Sequence, residues 1–316
     1  MSFSLARTLA AVAIAALLAG CAAPQTRELL ARGGPTGLPP ATELDGTPFF
    51  PQEEHQCGPA ALATALSAAG VPTTPDQIVP QVYLPGREGS LQVEMLASAR
   101  KYGTVPYLLQ PRLQDVLSEV AAGTPVVVLQ NLGLPWFPVW HYAVVVGYDL
   151  PEEQITLRSG REQRLAMSLS TFERTWARSD KWGFVALPPD RLPATAAEDR
   201  YVSSVVTLEN IGSIGVARRA YQTALAKWPD NLTALVGLGN TAYVLKDLNA
   251  AELALRRATQ EHPESDIAFN NLANVLLERR KFDEALEAAR HAVELAGPNQ
   301  AEAARTLAEI EAAARP

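Results

Sequence analysis

Ala217, Ala251 and Ala285 stand 34 residues apart, and so do Ala224, Ala258 and Ala292. A small residue recurring at one interval marks where the helices of a repeating unit cross, because only a small side chain lets the backbones approach. Pro229 and Pro263 keep the same interval, with Pro298 one residue late. Gly239 and Ala273 hold the small position of the first helix of their units, after Leu238 and Leu272; Tyr221 and Leu255 fill the bulky position of the second. Leu235 and Phe269 stand near the start of repeats two and three, and the first repeat departs from the pattern with Val205 at its small position. A plain helical bundle would not need to keep such a period.

The 34-residue pattern resembles tetratricopeptide repeats, about three of them over residues 198–316, with 299–314 as the solvating cap helix that stacked repeats need. The resemblance implies an all-α solenoid that docks a protein or peptide in its concave face. Upstream the composition shifts: of 24 prolines, only four follow residue 195. A chain of 316 residues is expected to form two domains. We expect the first over residues 48–190, with a linker at 191–197. There, helices are expected at 60–69, 91–102 and 112–122, ended by Gly70, Gly103 and Gly123. Strands are expected at 105–109, 125–130, 140–148, 154–158 and 182–187, and Ser170 with Glu173 reads as a capping box. Helices first, then a mostly antiparallel sheet, read as α+β.

Residues 1–21 have the form of a targeting segment, with Arg7 as its positive end and Leu9 to Leu18 as its apolar stretch. That stretch is too short to span a bilayer comfortably. It ends Leu18-Ala19-Gly20-Cys21, which resembles the lipobox of bacterial lipoproteins. The resemblance implies a lipidated Cys21 as the mature first residue, and Ala22 in place of Asp implies an outer-membrane address facing the periplasm. An ordinary secretory peptide is the alternative. Residues 22–47, rich in Pro, Gly and Thr without an apolar period, are expected to be a flexible linker. The net charge of −7 gives no reason to expect nucleic acid or an anionic membrane surface as partner. The membrane would be met through the lipid anchor only.

With Cys21 lipidated, Cys57 is the one free thiol and no disulfide can form. Cys57 stands where a loop turns into a helix, with Pro59 suited to the first helical position. The unpaired N–H groups and the dipole there favour thiolate. An inert core cysteine is the plain alternative. A cysteine nucleophile needs a base and oxyanion donors. Of the histidines, His262 and His291 fall in the repeats and read as surface residues, and His55 is too close along the chain to pair with Cys57. His141 opens an apolar strand that otherwise reads as core.

Cysteine on an N-terminal helix followed by histidine on a downstream strand is the papain-like order. Gln52-x4-Cys57-Gly58-Pro59-Ala60-Ala61-Leu62-Ala63, with His141-Tyr142-Ala143-Val144-Val145-Val146-Gly147-Tyr148-Asp149, resembles the bacteriocin-processing, double-glycine-leader cysteine peptidases (peptidase family C thirty-nine). The resemblance covers roughly Phe49 to Leu187. It implies a papain-like fold, Cys57 as nucleophile, His141 as general base and acid, and Gln52 in the oxyanion hole with the Cys57 N–H. Where the family has Asp, strand alignment puts Ser159; Glu162 is near enough to substitute, and Asp149 reads as a turn residue. The scheme needs no cofactor and no metal. Trp136, Phe137, Trp140 and Tyr142 are expected to pack in core and loop, with a hydrophobic wall of the substrate cleft as the alternative. The function implied is an envelope-anchored cysteine peptidase of proteins or peptides, with repeats for protein binding. A non-catalytic adaptor and a cell-wall amidase are its rivals.

Overall fold

The computed structural model describes residues 23–34, 37–52, 56–295 and 297–315. The targeting segment with Cys21, and His55, lie outside the described residues. The chain divides into two compact units, one made mostly of residues up to Ala186 and one mostly of residues from Ala196 on.

In the first unit, α1 is Pro24–Ala31, β1 Ala41–Glu43, α2 Cys57–Ala68, α3 Pro75–Val82, β2 Tyr83–Leu84, β3 Gly89–Ser90 and α4 Gln92–Lys101. Then follow β4 Val105–Leu108, α5 Leu113–Ala121, β5 Val126–Asn131, β6 Trp140–Asp149, β7 Gln154–Ser159, β8 Glu162–Ser168, α6 Leu169–Ala177 and β9 Gly183–Leu187. Among the described residues the main sheet has seven strands in the order β4-β9-β5-β6-β7-β8, with β1 paired to β6 beyond the start of β5. Its β5–β6, β6–β7 and β7–β8 pairs are antiparallel.

The Cys57 helix forms because Ala60 to Ala68 are mostly strong helix formers, and it is buried along its length. It starts at Cys57 rather than at Pro59. The proline sits in the first turn, where a missing N–H still costs nothing. Gly70, at φ +83, ends it: Val71 N–H reaches Leu66 O and Gly70 N–H reaches Ser67 O, the pair of bonds that closes a helix through a left-handed residue. One face of the sheet meets it. Tyr142, Val144 and Val146 of β6 and Val127 and Leu129 of β5 join Ala61, Leu62, Ala65 and Leu66 in one core cluster, with Cys57 packed at its margin.

Three expectations change. The described residues of 22–47 are not all a loose tether: α1 buries Leu29, and its first N–H groups, those of Gln25 and Thr26, donate to the Glu173 carboxylate at 3.0 and 2.7 Å. β1 adds a strand to the sheet. Glu173 therefore caps another helix rather than its own. α6 is opened by Ser168, whose Oγ accepts from Thr171 N–H. β8 is an additional edge strand, mostly exposed, that opens on the polar and charged Glu162, Gln163 and Arg164, as befits an edge protected against further pairing.

Among its described residues the second unit has seven helices: α7 Glu198–Asn210, α8 Ile214–Lys227, α9 Leu232–Val244, α10 Leu248–Glu261, α11 Asp266–Glu278, α12 Phe282–Glu294 and α13 Gln300–Ala313. Ala217, Ala224, Ala251, Ala258, Ala285 and Ala292 are all fully buried. A Cβ on Gly239 would stand 2.6 Å from Leu255 Cγ, so the small and bulky positions meet where the helices cross. His262 and His291 are half-buried rather than free on the surface: His262 Nε2 lies 2.5 Å from Asp230 O, and the His291 ring lies 4.2 Å from that of Phe269.

Candidate active site

β6 and β7 run antiparallel, so the start of one meets the end of the other. That brings together two residues 18 apart in sequence: His141 Nε2 lies 2.8 Å from Ser159 Oγ. Ser159 is buried, 8% exposed. Among the described residues the other ring nitrogen, Nδ1, has no hydrogen-bond partner. Glu162 opens β8, is exposed, and meets Ser159 only through backbone register. Asp149 makes the turn between β6 and β7, its carboxylate accepting from Glu152 N–H.

Gln52 is fixed to the same corner. Its N–H donates to Gly160 O at 3.0 Å, in the turn directly after Ser159. Gln52, Cys57 and His141 line one cavity of about 1040 Å³. Its wall also draws on segments far apart in sequence: residues 87–92 between α3 and α4, Gly160 and Arg161, and Ser179 and Asp180 after α6. None of these carries a motif, so the sequence reading passed over them. A left-handed backbone at Glu88 and at Asp180 (φ 47 and 54) is part of how these turns are shaped. Ser90 Oγ is buried there without a hydrogen-bond partner, while Ser90 O accepts from the Tyr142 hydroxyl.

The electrostatics run against the expectation of a thiolate. Burial pushes the Cys57 thiol above its ordinary value, outweighing backbone hydrogen bonds from Tyr142, Gly58 and Cys57 itself. Burial likewise pushes His141 below its ordinary value. Both shifts favour the uncharged form of the group, the thiol of Cys57 and the neutral imidazole of His141.

The aromatic residues near His141 divide. Tyr142 is core, packed edge-on against Trp182. Trp136, Phe137 and Trp140 are exposed at 77%, 74% and 53%, so the packing reading fails for them. Trp140 lines the cavity with Pro138 and Val139, whereas Trp136 and Phe137 stand beyond it.

A buried helix with a cysteine at its start, packed on an antiparallel sheet that carries a histidine, defines a papain-like α+β domain; a helical repeat follows it. Residues 44–183 match the model of the Peptidase_C39 like family, and residues 207–266 match a tetratricopeptide repeat model. The chain carries a C39-like peptidase domain followed by tetratricopeptide repeats. Similar solved structures include the first repeat domain of Spaghetti bound to an HSP90 peptide (20% identity, TM-score 0.35, covering 37% of this chain and 91% of that one). A mutant O-GlcNAc transferase of Thermobaculum terrenum is 25% identical at TM-score 0.34, with 37% of this chain and 23% of that one covered. The type III secretion translocator chaperone SycD of Yersinia enterocolitica is 16% identical at TM-score 0.35, with 36% and 81% covered. No curated protein matches the chain.

Proposed function

We propose that the chain is a cysteine peptidase of proteins or peptides, held in the bacterial envelope by a lipid on Cys21 and presented with partners or substrates by its repeats. The observation that carries the reading is the His141–Ser159 hydrogen bond in a C39-like domain. It occupies Nε2 and leaves Nδ1 for the thiol, in a cavity that Cys57 and Gln52 also line. In this scheme Nε2–H donates to Ser159 Oγ and the Nδ1 lone pair takes the Cys57 proton as Sγ bonds to the peptide carbonyl carbon. The Gln52 side-chain amide and the Cys57 N–H hold the oxyanion. As the C–N bond breaks, His141 returns its proton to the leaving amine. Water, deprotonated by His141, then hydrolyses the thioester. Cys57→Ala should abolish hydrolysis of a cleavable peptide while leaving the fold intact by circular dichroism; full activity in that variant would overturn the mechanism.

One observation favours a second reading, a peptide-binding adaptor without catalysis. Burial shifts Cys57 up and His141 down, each toward its uncharged form, and among the described residues the imidazole's hydrogen-bond partner is a hydroxyl rather than a carboxylate. Alkylation of Cys57 against pH separates the two. An alkylation rate and pH profile unchanged by His141→Ala support the adaptor, and a rate that falls in that variant supports the peptidase.

A further inference from the structure

Between β5 and β6 the chain forms a protruding arm, Asn131 to Trp140. From Leu132 to Trp140 it holds no charged side chain, and its polar side-chain atoms are the indole N–H groups alone. Leu134, Trp136, Phe137, Val139 and Trp140 are all exposed, Trp136 and Phe137 the most. Exposed apolar surface of this size on one feature marks a contact site.

The arm is built rather than loose. Leu134 and Phe137 exchange two backbone hydrogen bonds of 3.1 Å around a turn at Pro135 and Trp136. Leu132 N–H donates to Val139 O, and the buried Asn131 side chain accepts from Gly133 N–H and Val139 N–H, each at 2.9 Å. A Cβ on Gly133 would collide with Phe137 O. Pro135 and Pro138 have no N–H. Among the described contacts, every other backbone N–H from Leu132 to Val139 except that of Trp136 is therefore bonded inside the arm. With these groups bonded the arm can enter the interfacial layer, where the Trp136 N–H still meets water or headgroup oxygens, at little cost. It also leaves no open edge on which a peptide could add as a strand.

The position of the anchor bears on what the arm meets. Gln25 and Thr26 are pinned to Glu173 of α6. Arg178, at the end of the same helix, donates to Asn131 O and Gly133 O at the arm's base, at 3.3 and 2.7 Å. Glu173 and Arg178 are about 7.5 Å apart along the helix, and Cys21 precedes Gln25 by at most about 14 Å of chain. A lipid on Cys21 thus keeps the arm's base within about 40 Å of the bilayer surface, counting the side chains that bridge the steps. The arm reaches about 16 Å further, from Asn131 to Trp136. Tryptophan and phenylalanine are the side chains that settle at the bilayer interface.

We propose that this arm is a membrane-contact element, setting Trp136 and Phe137 into the interfacial layer of the bilayer to which the chain is anchored. The proposal rests on lipidation of Cys21. It would place the mouth of the cavity, whose wall the arm's other side forms, close to the membrane.

The test uses the full-length lipoprotein in phosphatidylcholine vesicles with brominated or unmodified acyl chains. The bromines should quench tryptophan emission in the wild type. In Trp136→Ser/Phe137→Ser the quenching should fall about threefold, while Trp228→Phe leaves it unchanged. The mass of the N-terminal peptide reports the lipid independently. A peptide without lipid overturns the anchor, and with it the argument from chain length. A lipidated protein whose emission is unquenched overturns the membrane contact alone. Quenching retained in the double variant, with a raised KM for peptide hydrolysis, overturns it in favour of a substrate-binding arm.

Discussion

Ser159 decides how His141 can act. A hydroxyl both donates and accepts, so it leaves the imidazole free to take either tautomer, and the base form needs the proton on Nε2. A carboxylate only accepts; it would hold that tautomer and stabilise imidazolium. Ser159→Asp should therefore raise His141 and draw the Cys57 thiol down, increasing iodoacetamide alkylation at pH 7 about tenfold. An unchanged rate would mean that the hydroxyl is not what limits thiolate formation. In the proposed mechanism neutral imidazole is the active form, and burial shifts His141 below its ordinary value. The acid limb of kcat/KM should fall below the ordinary histidine range, and the alkaline limb, set by the buried thiol, above the ordinary cysteine range. Position 159 was legible because a hairpin fixes which residues meet across it. The direction of the Cys57 shift was not. Local sequence shows a helix start that favours thiolate, whereas the burial that outweighs it depends on how the helix start packs against the core cluster, which no local signal reports.

Elements with a strong period were read well, and those held by distant partners were not. β5 and β6 are continuous apolar runs and fall within a residue of expectation. α1 has little amphipathic pattern; it is held by Glu173, which a local reading assigns to a capping box of its own helix. Both carboxylate oxygens accept from otherwise unpaired N–H groups, and Glu173 is fully buried. Glu173→Ala should cost about 2 kcal/mol, measured from the urea midpoint, by leaving Gln25 and Thr26 N–H without acceptors. Glu173→Gln keeps one acceptor oxygen and should cost about half as much. Equal, negligible costs for both would show that α1 does not depend on this cap. The arm escaped the reading for a different reason. Aromatic residues beside a core strand look like packing, and only the closed turn at Pro135 and Trp136 turns them outward.

At the scale of the whole molecule, two kinds of order lie in one chain: a single-copy site, and a stack in which each unit leans on the next. In a stack, stability is carried by the interfaces between neighbours, so the residues that matter most are those that bridge units. Glu252 of α10 is such a residue. Its buried carboxylate meets Arg256 of its own helix, Lys281 at the start of α12, both at 2.8 Å, and Arg279 at the end of α11. Burial pushes Glu252 up, but hydrogen bonds from Lys281 and Arg256 and the charges of Arg256 and Arg279 outweigh it, and the group ends below its ordinary value. A depressed carboxylate contributes stability that is present above the unfolded-state value and lost as pH falls through the folded one. The 34-residue period predicts that neighbours pack, yet not this cluster, because charges on the outer turns follow no repeat. Glu252→Gln should lower the stability of the helical unit by about 2 kcal/mol at pH 7, below the cost of breaking a fully buried pair because the three cations can regain water. The gap between variant and wild type should close as pH falls below the ordinary glutamate range, where the native carboxyl also takes up its proton. A gap that persists there would assign the loss to packing rather than to charge.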